Sequence, residues 1–252
     1  MPTSESESLP PKFNDLRDLL VDCYKLASEL STAIEVHNEN PLQIIASCLL
    51  IKVLNATRAI LLLFENNLLS EVYIILRHQM EAVFVLRACN EDRAFLEEYI
   101  KSDTLYRLKL GNVIFNKRED FNKDEKFDID RIINLKNELK SIVNENGIKE
   151  IKIEELARKA KMKSHYNTAY RLFSNIVHIG VKSLDDYLVL EGGKIKELSI
   201  YPYQEDIAKL YISAIELILI AIECIKNIFE VEVDEKIKNL QETLSMAAKP
   251  YL

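Results

Sequence analysis

The chain has 252 residues, of which 48% are apolar and 29% charged, and its formal net charge is -7. A chain of this length can bury a substantial core, which excludes a disordered tail or a small disulfide-stapled protein. Five glycines and six prolines are too few for the turns of a β-sandwich or barrel. The patterns GxGxxG and GxxxxGK[ST] do not occur, which disfavours Rossmann and P-loop enzymes. The composition therefore predicts an acidic, soluble, mostly helical protein.

Apolar residues recur at helical spacing along most of the chain. The acidic residues 1–12, closed by Pro10 and Pro11, are expected to be a disordered lead-in rather than a secretion signal. The pattern after them predicts helices at about 13–37, 42–65, 68–89, 92–116, 127–144, 153–161, 164–179, 204–230 and 235–246.

Short turns between these long helices indicate antiparallel neighbours. Residues 187–200 alternate around Gly192 and Gly193, which predicts one small β-hairpin. We therefore predict an all-α fold, an antiparallel helical bundle with one β-hairpin. It would form a single helical domain over 13–252, with 117–163 as an inserted helical appendage.

Compartment and cofactors are predicted from the cysteines and from the most apolar helix. Cys23, Cys48, Cys89 and Cys224 form no CxxC pair, and three of them lie among apolar residues as core thiols would. The stretch 210–229 contains three charged residues, which is too costly for a bilayer span. We expect a cytoplasmic protein with no membrane segment, no metal and no cofactor.

The first candidate site is an i,i+4 pair, Arg77 and Glu81, on an otherwise apolar face of the third helix. A charge on an apolar face needs a partner of opposite charge, and these two residues can pair with each other. One interpretation is a buried salt bridge that ties helices together. In the other, Arg77 or Glu81 faces a pocket.

The second candidate site is one side of the helix predicted over 164–179. Its apolar side includes Leu172, Phe173 and Ile176. The opposite side is rich in neutral hydrogen-bonding groups, with one arginine and one histidine, whereas a solvated helix face normally carries Lys and Glu. This polar stripe consists of Ser164, Asn167, Tyr170, Arg171, Ser174, Asn175 and His178.

The residue types of the polar stripe indicate a chemistry. The guanidinium of Arg171 matches phosphate oxygens, and His178 titrates near neutrality and could transfer a proton. Tyr170, Ser174 and Asn175 could orient a phosphate or a ribose hydroxyl. The alternative for His178 is a structural histidine, and for the basic run 158–163 it is a solvated face.

The motif R-x3-E of Arg77 and Glu81, followed by Y-x3-S-x3-H of Tyr170, Ser174 and His178, resembles an uncharacterised bacterial all-helical family over about residues 45 to 230. More distantly, the chain is similar to the HEPN superfamily of helical domains. Many HEPN members are metal-independent ribonucleases of toxin–antitoxin and defence systems, with an arginine and a histidine on one helix. Six residues separate Arg171 from His178, and Leu172 stands where active members often carry a polar residue.

The HEPN resemblance implies a homodimeric, metal-independent endoribonuclease that acts on RNA, with Arg171 and His178 as catalytic residues and a cognate antitoxin as partner. The basic run Arg158 to Lys163 would contact the RNA backbone. The alternative hypothesis is a non-catalytic helical module that binds a ligand or a protein through Tyr170, Ser174, Asn175, Asn167, Arg77 and Glu81. In a third interpretation the polar stripe is buried against the inserted appendage.

Overall fold

The computed structural model describes residues 13–116, 129–177, 184–185, 187–199 and 207–251, with the backbone alone at 129 and 130. The predicted lead-in, the start of the predicted appendage and His178 lie outside the described residues. The described helices are α1 (Asn14–Ala33), α2 (Pro41–Glu65), α3 (Leu69–Glu91), α4 (Arg93–Asn116), α5 (Ile129–Glu145), α6 (Ile153–Lys159), α7 (163–177), α8 (Ile207–Phe229) and α9 (Asp234–Ala248), and a 3₁₀ turn (Lys249–Tyr251) follows.

The all-α prediction is confirmed: apart from these helices, the described residues contain one antiparallel hairpin, β1 (Leu188–Glu191) with β2 (Lys194–Leu198). Gly192 and Gly193 both have positive φ, 59° and 76°, as the two central residues of a type I′ hairpin turn require. The Tyr187 hydroxyl donates a 2.7 Å hydrogen bond to Ser70 Oγ. That bond attaches the start of the hairpin to α3.

Helix α8 is apolar on nearly every side and lies in the centre of the core, against α1, α2, α3 and α9. The Tyr211 ring of α8 stacks on Phe64 of α2, with centroids 3.9 Å apart. The polar residues of α8 fall on one narrow line, where Lys209, Glu216 and Glu223 are exposed and Ser213 is half-buried. A helix with so little polar surface is stable in water only when other helices enclose it.

Helices α2 and α3 are joined by a turn of three residues, 66–68, and pack closely along each other. Asn67 adopts the left-handed conformation, with φ 55°, which asparagine tolerates better than most residues. The short turn makes the two helices antiparallel neighbours, as predicted. Helix α2 is also the one described helix whose length and apolarity would allow it to cross a membrane. Buried core helices meet the same criterion, and 44% of the most apolar window of α2 is buried.

The contacts divide the chain into two compact units. The first comprises residues 1–91 and 157–252, and the second residues 92–156. Within the second unit α4 packs on α5, where the Lys136 ammonium lies 3.8 Å from the centroid of the Phe115 ring. This unit overlaps the predicted appendage of 117–163 but begins at 92, because α5 packs on α4 along its length. That residues 13–252 fold as one domain stays a prediction.

The prediction that three cysteines are core thiols is confirmed. Cys23, Cys89 and Cys224 are buried, and Cys48 is exposed. Burial raises the pKa of Cys23 to about 12, that of Cys89 to about 11 and that of Cys224 to about 12. These three thiols are therefore protonated and poorly nucleophilic at neutral pH.

A buried hydrogen bond between Gln79 and Thr57 predicts a measurable coupling between α3 and α2. The Gln79 Nε2 donates to Thr57 Oγ1 at 2.9 Å, and both side chains are fully buried. Thr57→Val should lower the free energy of unfolding by about 1–3 kcal/mol, because it strands a buried amide donor. Denaturant unfolding measures this change.

The double variant Thr57→Val with Gln79→Met is the control, because it removes both polar partners. It should cost less than the sum of the two single variants. Costs that simply add would show that the pair contributes no coupling.

Candidate functional site

Three of the predicted site residues form one hydrogen-bonded network between α3 and α7. The Tyr170 hydroxyl accepts hydrogen bonds from Arg77 Nε and Nη2, both at 3.2 Å, and donates to Glu81 Oε1 at 2.8 Å. Arg77 Nε also lies 3.3 Å from Glu81 Oε1. The predicted i,i+4 pair is therefore present, and a tyrosine from another helix completes it.

Aromatic rings hold Tyr170 in this position. Its ring stacks on Tyr166 at 5.4 Å between centroids and lies 6.1 Å from the Phe84 ring. The Arg77 guanidinium carbon lies 5.3 Å from the centroid of the Tyr170 ring, a cation–π distance. Burial, followed by the hydrogen bond to Glu81, raises the pKa of Tyr170. The phenol therefore keeps its proton and serves as the donor to Glu81.

The Arg77–Glu81 pair is only partly buried, with 25% and 33% of the two side chains exposed. The expectation of a salt bridge that ties helices together agrees with this geometry, whereas full burial does not. Because water still reaches both charges, a lost partner costs less than it would in a dry core. The arrangement joins α3 to α7 and leaves its charges at the surface.

Helix α7 contains a π-helical turn, Tyr166–Tyr170, between the α-helical segments Lys163–His165 and Arg171–Val177. A π turn accommodates one more residue than an α turn and so rotates the following residues by about 100° relative to a regular helix. This rotation corrects two predictions. Tyr170, assigned to the polar side, is buried, and Leu172, assigned to the apolar side, is 50% exposed.

The other described residues of the polar stripe are exposed or half-buried. Ser164, Asn167, Arg171 and Asn175 are exposed and Ser174 is half-buried. The Arg171 side chain makes no hydrogen bond or ion pair with any residue described here. The structure thus brings Tyr170 to Arg77 and Glu81, while Arg171 faces solvent.

A cavity that the sequence analysis missed lies between α3, α7 and α8. Its volume is about 230 Å³. Five polar side chains line it: Ser164, His165, Thr168, Ser213 and Glu216. The available signal was Glu216, one of two carboxylates on a helix with very little polar surface.

Burial shifts the pKa values of the two titratable groups of this cavity in opposite directions. It lowers the pKa of His165, with a smaller contribution from the positive charge of Arg87. It also raises the pKa of Glu216, which lines the cavity although the residue is exposed. Both groups are thereby biased towards the neutral form, as in sites that bind or transfer protons. Within the described ranges, no group of three or more His, Cys, Asp or Glu residues could hold a metal ion.

The fold and the site together define an all-α protein in which Tyr170 holds α7 on α3. Helix α7 contains no Asp or Glu. Residues 43–195, more than half of the chain, match a family of unknown function, DUF5677, and the chain belongs to that family. The expected membership of an uncharacterised family is thus confirmed. Comparisons with curated proteins and with solved structures give no match.

The network predicts that the Tyr170 hydroxyl stabilises the docking of α7. Tyr170→Phe keeps the ring and its stacking but removes three hydrogen bonds to charged groups. It should lower the free energy of unfolding by about 1–2 kcal/mol, measured by denaturant unfolding. Tyr166→Phe is the matched control, because the structure shows no hydrogen bond of that hydroxyl to a described residue. Equal losses in the two variants would contradict the assignment.

The shifted pKa of His165 predicts a pH dependence of stability. A histidine whose folded pKa lies below its unfolded value binds its proton less tightly in the native state, so stability falls as the pH drops below about 6.5. His165→Gln should make the loss of stability between about pH 7 and pH 5 smaller. Thermal unfolding at a series of pH values measures this loss. His78→Gln, at an exposed histidine of α3, should keep the parent's slope. A parent slope retained by His165→Gln would refute the prediction.

Proposed function

We propose that the exposed side of α7 binds the phosphate backbone of RNA and that the protein is a metal-independent endoribonuclease. The observation that carries the proposal is the state of Arg171, which is exposed and has no ion-pair partner among the described residues. An unpaired guanidinium at the surface is available to a phosphate, with which it forms bidentate hydrogen bonds.

The charge distribution around Arg171 supports this proposal. No Asp or Glu occurs in residues 163–177, although the whole chain has a net charge of -7. Lys163 is exposed at the start of α7, and Arg158 is exposed near the end of α6. Lys161 between them is paired with Glu91. A helix that carries basic side chains and no carboxylate of its own favours the binding of a polyanion even in an acidic protein.

The proposed reaction uses the ribose 2′-hydroxyl as nucleophile. That oxygen attacks the adjacent phosphorus, the bond from phosphorus to the 5′-oxygen breaks, and a 2′,3′-cyclic phosphate and a 5′-hydroxyl result. Arg171 stabilises the negative charge on the phosphate oxygens, and His178 takes the proton of the 2′-hydroxyl and delivers it to the departing 5′-oxygen. DNA lacks the 2′-hydroxyl, so RNA is the substrate. The defence or toxin context, the cytoplasmic location, the homodimer and the cognate antitoxin belong to the same proposal.

The second candidate function is a non-catalytic module that binds a protein partner through the same face. Leu172, adjacent to Arg171, is 50% exposed. Arginine is enriched at protein–protein interfaces, and the adjacent leucine would add an apolar contact to such an interface. In this alternative Arg171 binds an acidic group of the partner and His178 has no catalytic role.

The two functions are distinguished by incubating the protein with a mixed RNA pool in EDTA. We expect the parent to cleave RNA and leave cyclic phosphate ends, and Arg171→Ala and His178→Ala each to lose at least about a hundredfold in rate. Arg58→Ala, at an exposed arginine of α2, is the matched control and should cleave like the parent.

Absence of cleavage by the parent at concentrations that permit dimers would refute the ribonuclease. If an RNA of the pool still bound and Arg171→Ala abolished that binding, the phosphate-binding role of α7 would survive without the reaction. If RNA neither bound nor was cleaved, the protein-binding module would be the function to pursue.

A further inference from the structure

We propose that the cavity between α3, α7 and α8 is a binding site for a small organic cation that carries N–H donors, a primary alkylammonium or an alkylguanidinium. The site is separate from the exposed Arg171 and does not depend on the ribonuclease proposal. Three elements of one compact unit contribute to it, and its volume of about 230 Å³ accommodates a ligand of several heavy atoms.

Every polar side chain of the cavity offers an acceptor atom. Glu216 brings a carboxylate, and Ser213, one helical turn before it on α8, brings a hydroxyl. Neither side chain has a hydrogen-bond or ion-pair partner among the residues that the structure describes. On α7, the Thr168 hydroxyl donates its proton to the Ser164 carbonyl at 2.9 Å. Towards a ligand this hydroxyl can therefore serve only as an acceptor.

The charge of the cavity favours a cation. Among the described residues, Glu216 is the one carboxylate of its lining, and no lysine or arginine lines it. His165, the other titratable group, is neutral near pH 7, because burial and the charge of Arg87 lower its pKa. Arg87 belongs to α3 and is itself directed to Glu91, 3.8 Å away. A ligand ammonium would give Glu216 the ion-pair partner that the described residues do not supply.

The remaining walls determine which cation fits. Met80, Ala169 and Leu217 provide an apolar surface, which suits a short alkyl chain attached to the charged group. No Phe, Tyr or Trp of the described part of the chain lines the cavity, whereas quaternary ammonium ions are recognised by the rings of these residues. A ligand with several N–H donors therefore fits the acceptor set better than a quaternary ammonium of the same charge.

The test is a titration of the isotope-labelled protein at pH 7.5 with butylammonium and with butylguanidinium, followed by the amide resonances of α7 and α8. Butyltrimethylammonium has the same charge without N–H donors, and 1-butanol has the alkyl chain without the charge. We expect saturable shifts around Thr168 and Ser213 with at least one of the two donor cations. Neither control ligand should produce them.

Variants assign the binding to the cavity. Glu216→Gln keeps the shape of the side chain and should weaken binding at least about tenfold, and Ser213→Ala should weaken it by a smaller factor. Glu223→Gln is the matched control, because Glu223 is exposed on the same polar line of α8 and does not line the cavity. Arg171→Ala should bind the amine like the parent, whatever its effect on RNA.

Three outcomes would overturn the proposal. Butyltrimethylammonium that bound as tightly as the donor cations would show a surface that responds to charge alone. Equal losses in Glu216→Gln and Glu223→Gln would place the binding outside the cavity. No saturable shift with butylammonium or butylguanidinium at millimolar concentrations would exclude the site.

Discussion

The enclosure of α8 is the constraint on which the rest of the first unit depends. This helix is apolar on nearly all sides, and no arrangement that leaves one of its flanks in water would be stable. Helices α1, α2, α3 and α9 supply the cover. The one narrow polar line of α8 has to reach solvent or a polar cavity. Ser213 and Glu216 on that line border such a cavity.

The contact between α7 and α3 determines what the protein presents to its surroundings. Tyr170 hydrogen-bonds to Arg77 and Glu81, and Phe173 packs edge-on against Tyr73 at 5.5 Å between ring centroids. These contacts allow one rotational setting of α7, in which Arg171 points outward. The same setting places Ser164 and Thr168 at the cavity. The hydrogen bonds of Tyr170 thus orient the exposed Arg171 and also the hydroxyl groups that α7 contributes to the cavity.

The helices and the hairpin could be predicted from the sequence, because apolar periodicity and turn residues are local signals that this fold obeys. The observed bounds of α2, Pro41–Glu65, differ from the predicted 42–65 by one residue. The orientation of α7 could not be predicted, since a helical wheel assumes a constant rotation per residue and the turn Tyr166–Tyr170 departs from it. The cavity could not be predicted either. His165 and Glu216 lie far apart in the sequence, and only the packing of three helices brings them to one space.

The π turn of α7 also has a consequence for how this protein can vary during evolution. It is equivalent to one residue inserted into an α-helix, so the inward position of Tyr170 and the outward position of Arg171 both depend on the length of the segment 163–170. Substitutions there exchange one side chain at a time, whereas deletion of a single residue would rotate every later position of the helix by about 100°. Relatives that have the same contact of Tyr170 with α3 should therefore keep the spacing of this segment even where its residues differ. Relatives with a regular α-helix should align with a gap of one residue and need a different contact to hold that helix on α3.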